Sequence, residues 1–298
     1  MSAPAFRLIL LAAVLASCAP KRREPPSLTS GHLVVAADAS LKPLLDELIR
    51  VYSGRYPDVQ IQARYGDEQQ VAEWLLGDTA QIALISGKFT DEELLPLREK
   101  GEAVRQFLFA ADGLAFLINR QRSDTVYTLS GLYDLLEGHP RQQPPATLIV
   151  PGMRSALHRS LQQLLPQGRT LTDQIFAVAD EEAVVRYVEE NPHAVGVISS
   201  SWISRGSDSI SEAILRRAYV LALTDTAGRS CKPVRAHLFS RCYPLLREIY
   251  LVIREKGVGV GMGFGTFLLA QDGQLVVHRF GLLAVKQPVR VIEVKKEF

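Results

Sequence analysis

Four short stretches of this chain carry residue types suited to holding a small oxyanion. They are Ala37-Asp38-Ala39-Ser40, Tyr65-Gly66-Asp67, Ile85-Ser86-Gly87-Lys88 and Pro151-Gly152-Met153-Arg154-Ser155. Each follows an apolar run and opens a helical pattern. Small residues, hydroxyls and charges therefore sit beside the free backbone N–H groups of a helix start. Oriented donors at the positive end of a helix dipole attract oxyanions. One dipole contributes roughly 0.3–1 kcal/mol, and one hydrogen bond to a charged partner about 1.5–3 kcal/mol. Capture at ~1 μM needs about 8 kcal/mol, so one junction is too weak and several must converge. Taken singly, each junction also reads as ordinary helix capping. Ser40, Asp67, Ser86, Arg154 and Ser155 are the candidate ligand contacts.

The elements around these junctions alternate in type. Leu33 to Ala37 is a short apolar run suited to a buried parallel strand. Leu41, Leu44, Leu45, Leu48, Ile49 and Tyr52 then recur at helical spacing, with Ser40 as the expected N-cap. Val59 to Ala63 and Ile82 to Ile85 predict further strands. Asp67 with Gln70, and Thr90 with Glu93, have the spacing of capping boxes. Leu114 to Ile118, Thr147 to Val150, Val195 to Ile198 and Ile249 to Ile253 are further apolar runs. Asp180 to Glu190 predicts a helix stopped by Asn191-Pro192. Strands alternating with helices predict an α/β fold with mainly parallel sheet, whose ligands sit beyond the carboxyl ends of strands.

Composition excludes several function classes. Of 298 residues 47% are apolar and 22% charged, which argues against disorder. Lys plus Arg number 34 against 32 for Asp plus Glu, so no basic excess points to nucleic acid. Six scattered histidines and three cysteines without a CxxC pair give no metal motif, and no cofactor is expected. The glycines from Gly257 to Gly265 lack GxGxxG spacing and read as a flexible turn before a helix near Phe267. Ser199-Ser200-Ser201 lacks a GxSxG elbow, and no enzyme is expected.

The N-terminus reads as an export signal. Leu8 to Ala16 is apolar behind Arg7 and has about half the ~20 residues of a membrane span. Leu15-Ala16-Ser17-Cys18 resembles the bacterial lipobox, which implies cleavage after residue 17 and lipidation of Cys18. Residues 18–30, rich in Lys, Arg, Pro and Ser, read as a tether. No later run is long and apolar enough to cross a bilayer. Export places Cys231 and Cys242 where a disulfide persists, and they are expected either bridged or as buried free thiols.

Several ordered pieces carry a wider resemblance: ADASLKPLLDEL from Ala37, YGDEQQVAEWLLGDTAQIALISGKFTDE from Tyr65, DGLAFLIN from Asp112, AVGVIS from Ala194, YPLLREIYLVI from Tyr243 and FLLAQDGQLVVHRFGLL from Phe267. From about His32 to Arg290 the chain resembles the periplasmic phosphate-binding proteins of phosphate ABC transporters, in a form like that of Bacteroidetes lipoproteins. The resemblance implies a type II periplasmic-binding-protein fold: two α/β lobes joined by crossing strands, closing by a hinge on dehydrated phosphate. Residues 31–108 plus 246–298 would form lobe one, and 109–245 lobe two. It implies inorganic phosphate and an ABC permease as partners, and a monomer held outside the cytoplasmic membrane by its lipid.

The family's binding residues carry over unevenly. Of its first Gly-Ser-Thr-Ser loop only the hydroxyl of Ser40 remains. Its second-junction Gly-Ser is Gly66-Asp67, and Ser86 stands where some members place an Asp that accepts the ligand's proton. Asp67 is therefore expected either as proton acceptor, with Ser86 as donor, or as a plain N-cap. Around Arg154-Ser155 the family's Gly-Ser-Gly-Thr loop is lost, and Arg154 is expected either to grip the anion in a two-pronged contact or to remain a surface residue. Asp112, at the lobe crossing, is expected as a hinge residue. These departures admit another oxyanion, a small organic anion, or a sensor or scaffold with a degenerate pocket.

Overall fold

The computed structural model describes residues 27–139, 146–204, 209–255 and 257–286. The expected signal sequence, Cys18 and most of the expected tether lie outside the described residues. Strand β1 (Gly31–Asp38) pairs in parallel with β2 (Val59–Gly66) on one side and β3 (Ile82–Ser86) on the other. Its side chains alternate between two cores. Leu33, Val35 and Ala37 pack with Leu44, Leu45, Leu48 and Tyr52 of helix Lys42–Arg55. Ala36 packs on the other face with Val71 and Leu75 of helix Glu68–Leu76. A strand covered on both faces must be apolar throughout, which is why its sequence shows no polar alternation.

A second parallel wing consists of β8 (Ala194–Ser199), β6 (Thr147–Val150) and β7 (Ile175–Ala177). The wings are joined by β4 (Ala103–Asn119) and β12 (Leu246–Glu255), which run antiparallel to each other. Residues Ala103 to Gly113 of β4 pair with β12, and Leu114 to Ile118 pair with β8. One 17-residue strand thus belongs to both wings of a sheet that has ten strands among the described residues: eight run in the order β2-β1-β3-β12-β4-β8-β6-β7, and β9 (Ala218–Val220) and β13 (Leu283–Ala284) each pair with β4. Strands β5 (Val126–Thr128), β10 (Ala222–Thr224) and β11 (Ser230–Cys231) form a separate small sheet. The expected α/β fold with crossing strands is present, parallel within each wing and antiparallel where they meet. No helix among the described residues is long and apolar enough to cross a membrane.

Two local expectations change. Ser40 does not cap the first helix. Asp38 accepts from the Ser40 amide at 2.8 Å and starts a 3-10 turn, Ala39–Leu41, and the α-helix begins at Lys42. The glycine run is a turn only at its start: Gly257 and Gly259 precede the helix, whereas Gly261, Gly263 and Gly265 lie inside helix Val260–Leu269. Glycine disfavours helix by about 1 kcal/mol per residue, and packing overrides it here. A Cβ on Gly263 would lie 2.1 Å from the Leu28 carbonyl oxygen, while Val260, Phe264, Phe267 and Leu268 are buried in the first core. Tyr52 packs edge-on to Phe264 at 5.0 Å and donates its hydroxyl to Leu28 at 3.0 Å, fixing the chain where it enters the fold.

Cys231 and Cys242 are joined in a disulfide, with Cα atoms 5.9 Å apart. Both are buried in a core of the second wing. Replacing both by alanine is expected to lower stability by about 2–3 kcal/mol, from the freedom returned to the unfolded loop, as urea denaturation would measure.

Candidate functional site

Beyond the carboxyl ends of the parallel strands lies a cleft of about 470 Å³. One wall comes from the β1 end, with Asp38 and Ser40, and from the β2 end, with Gly66 and Asp67. The facing wall holds Arg154 and Ser155, where helix Ala156–Leu164 begins, and Glu181, the first residue of helix Glu181–Glu190. Starts of several helices from both wings thus meet at one space. Strand-to-helix crossovers in a parallel wing put every helix N-terminus at the same edge of the sheet, which makes this convergence a consequence of topology.

Ser40, Asp67, Arg154 and Ser155 are brought together on this cleft. Asp67 spends one carboxylate oxygen on the Gln70 amide, at 2.9 Å, within a complete capping box. Its other oxygen meets Arg154 Nε at 3.2 Å, across the cleft. Ser155 accepts from the His158 amide at 3.2 Å and donates to the Gly152 carbonyl at 2.8 Å, so its hydroxyl is a working N-cap. Ser86 does not line this cleft: it is buried and opens onto a separate cavity of about 280 Å³ with Arg159 and Arg247. Its carbonyl accepts from Arg159 at 2.6 Å, and Arg159 also pairs with Glu68. Helix Ala156–Leu164 therefore sends a second arginine across to the first wing.

Beneath the cleft is a polar cluster that sequence reasoning missed. Arg247 on β12 grips Asp112 on β4 with two hydrogen bonds, 2.9 and 2.6 Å, and both residues are buried. Burial works against the charge on Arg247, and the Asp112 carboxylate outweighs it, holding the guanidinium pKa above its usual value. Ser199 donates to the same carboxylate. Asp112 lies on the strand that crosses between the wings and anchors a buried ion pair there. The signal was present: an arginine inside the apolar strand Leu246 to Ile253 must find a partner. Ser201 Oγ and Trp202 Nε1 donate to the Ser40 carbonyl at 3.1 and 3.0 Å, so the serine run helps hold the two wings together.

Buried side-chain polar atoms nearly always have partners, and leaving one unpaired costs about 1–3 kcal/mol. Among the described residues those without a partner are Asp38 Oδ2, Ser40 Oγ, Ser86 Oγ, Arg247 Nη1, Arg159 Nε and Ser211 Oγ. All but Ser211 gather at the ends of β1, β3 and β12 or reach across to them. Such a concentration of donors, with one acceptor, is the chemistry of a site completed by a small, strongly hydrogen-bonding ligand.

Glu181 is 3% exposed, and burial raises its pKa to about 7. Asp38 and Asp180 push the same way, while its own backbone N–H and Arg247 oppose. The folded protein therefore holds this proton more tightly than the unfolded chain. The resulting stability is complete below the ordinary value of 4.5 and is lost as pH rises through about 7. Glu181→Gln is expected to stabilise the ligand-free protein above pH 7 by on the order of 3 kcal/mol and to change little near pH 4. Thermal melts across that range measure it. The sequence signal for Glu181 is the junction Ala179-Asp180-Glu181, overlooked because β7, with only three residues, is too short to show a pattern.

Comparison with known proteins agrees with this architecture. Residues 23–272 match the model of a PBP superfamily domain. The phosphate-binding protein PstS of Staphylococcus epidermidis is 20% identical over 255 residues, covering 79% of this chain and 74% of that protein. A Clostridium perfringens protein, described as a phosphate ABC transporter substrate-binding protein and solved with bound phosphate, superposes with a TM-score of 0.71 at 17% identity. That match covers 86% of this chain and 100% of the other. An ABC-type phosphate transport receptor from Vibrio cholerae superposes with a TM-score of 0.61 at 16% identity, over 85% of this chain and 100% of its own. With a family model matching most of its length, this chain belongs to the PBP superfamily.

Proposed function

We propose that this protein captures inorganic phosphate outside the cytoplasmic membrane and delivers it to an ABC permease, held nearby by a lipid on Cys18. The gathering of Asp38 Oδ2, Ser40 Oγ, Ser86 Oγ and Arg247 Nη1, buried and unpartnered at neighbouring strand ends, carries this reading. Hydroxyl and guanidinium donors suit phosphate oxygens, and an aspartate oxygen suits a P–OH proton. Asp38 takes the acceptor role that the sequence suggested for Asp67, whose oxygens serve Gln70 and Arg154. Ser40, Ser86 and Arg247 are the donors. Arg154, largely exposed and paired with Asp67, closes the rim, and Ser155 orders the rim helix.

Residues 31–108 with 246–298 form one lobe in this reading, and 109–245 the other. The separate apolar cores of the two wings support that division, apart from Phe109 and Ala110, which pack in the first core. Contacts across the cleft, from Arg154 and Arg159 to the first wing, support closure around the ligand. Named relatives that bind phosphate or serve its transport support the cargo. Phosphate at about 100 times its dissociation constant is expected to stabilise the protein by about 2.7 kcal/mol in thermal melts. A response to sulfate or molybdate instead would assign another oxyanion, and a flat response to all three would assign a degenerate pocket.

A further inference from the structure

The cleft is lined by three carboxylates, Asp38, Asp67 and Glu181, and by one guanidinium, Arg154. Arg154 already faces Asp67 at 3.2 Å. Two further guanidiniums lie nearby and both are paired: Arg247 is held by both oxygens of Asp112, and Arg159 by Glu68. Among the described residues of the cleft no whole cation remains to balance both Asp38 and Glu181 when a doubly charged anion enters a space where charges are weakly screened. A neutral carboxyl at one of them removes a charge and supplies an O–H donor.

Resting on the phosphate reading above, we propose that Glu181 is a proton-carrying donor in the anion site: its neutral carboxyl gives a hydrogen bond to captured phosphate, so capture depends on a proton held by the protein and weakens as the surroundings turn alkaline.

The placement of Glu181 supports this role. It is buried, lies on the cleft wall facing Ser40 and Asp38, and opens a helix whose N-terminus points into the same space. The charged groups around it are few. Asp38 at the end of β1 and Asp180 in its own turn favour the neutral form, and Arg247 on β12 favours the charged one. On the rim Arg154 and Asp67 neutralise each other. Farther along the same helix Glu182 and Glu189 are tied to Arg217 of helix Ser209–Arg217, away from the cleft. Between Asp38 and Glu181 the site has one fixed acceptor and one switchable donor, a match for a phosphate that carries one proton. The balance near neutrality, where burial has lifted Glu181, makes the proton available in the range the exported protein meets. Binding the dianion to a partly ionised Glu181 takes up to one proton from solvent, in proportion to the ionised fraction, and release returns it.

Calorimetric titration of wild type and Glu181→Gln with inorganic phosphate, from pH 6.0 to 8.5 in buffers of differing ionisation heat, tests this. The amide of the variant donates without a proton to lose, and phosphate's own ionisation is common to both proteins. Above pH 7 the wild-type dissociation constant is expected to rise about tenfold per pH unit relative to the variant, with up to one more proton taken up. Identical pH profiles and proton counts would overturn the proposal and leave the phosphate reading standing. Failure of both proteins to bind phosphate would overturn both. Carboxyl NMR of wild type supplies a variant-free check. A Glu181 resonance that is partly protonated at pH 7 and becomes protonated at pH 8 on adding phosphate supports the proposal, and one that stays ionised with phosphate bound overturns it.

Discussion

Arg247→Met is expected to lower the stability of the ligand-free protein by about 3–5 kcal/mol and to abolish measurable phosphate binding. The loss of stability comes from Asp112, 0% exposed, which would keep only Ser199 to offset a buried negative charge. Arg247→Met combined with Asp112→Leu is expected to recover most of the stability, because two apolar residues of similar volume can replace a buried pair at little cost. It is not expected to recover binding, since the buried, unpartnered guanidinium nitrogen is gone. Urea denaturation and calorimetry of the single and double variants separate the two effects. A single variant as stable as wild type would show that the pair contributes nothing to the fold.

Ser40→Ala is expected to move binding and stability in opposite directions. The Ser40 hydroxyl is buried without a partner, and in the phosphate reading it donates to the anion. Removing it should weaken phosphate binding by about 10–100-fold, the equivalent of one hydrogen bond to a charged group. The ligand-free protein should be unchanged or more stable by up to about 1 kcal/mol, because an unsatisfied buried hydroxyl has been removed. A merely structural serine would show the reverse pattern, with lost stability and unaltered affinity.

The sequence shows the fold better than the site, for physical reasons. Buried parallel strands must be continuously apolar, so Leu33 to Ala37 and Ile82 to Ile85 stand out without any partner in view. The capping boxes at Asp67 and Thr90 are local and need only three-residue spacing. Asp38 and Ser40 show how local reasoning fails at a site. The serine looked like the cap, but the aspartate caps the turn and leaves the serine hydroxyl unpaired. The Arg247–Asp112 pair spans 135 residues, and nothing in either segment names its partner. Glu181 depends on tertiary burial next to Asp38, a property no spacing encodes. The glycine helix Val260–Leu269 was obscured for the same reason, since its stability comes from packing on Tyr52 and Leu28.

Titration calorimetry of the wild-type protein with inorganic phosphate at pH 7, with sulfate in parallel, tests the central claim most directly. One phosphate per chain is expected, with a dissociation constant near 1 μM or below, as several charge-assisted hydrogen bonds from both wings together supply about 8 kcal/mol. Heats no larger than dilution for phosphate at millimolar concentration would contradict the account, because the buried groups at the ends of β1, β3 and β12 would then serve some other ligand.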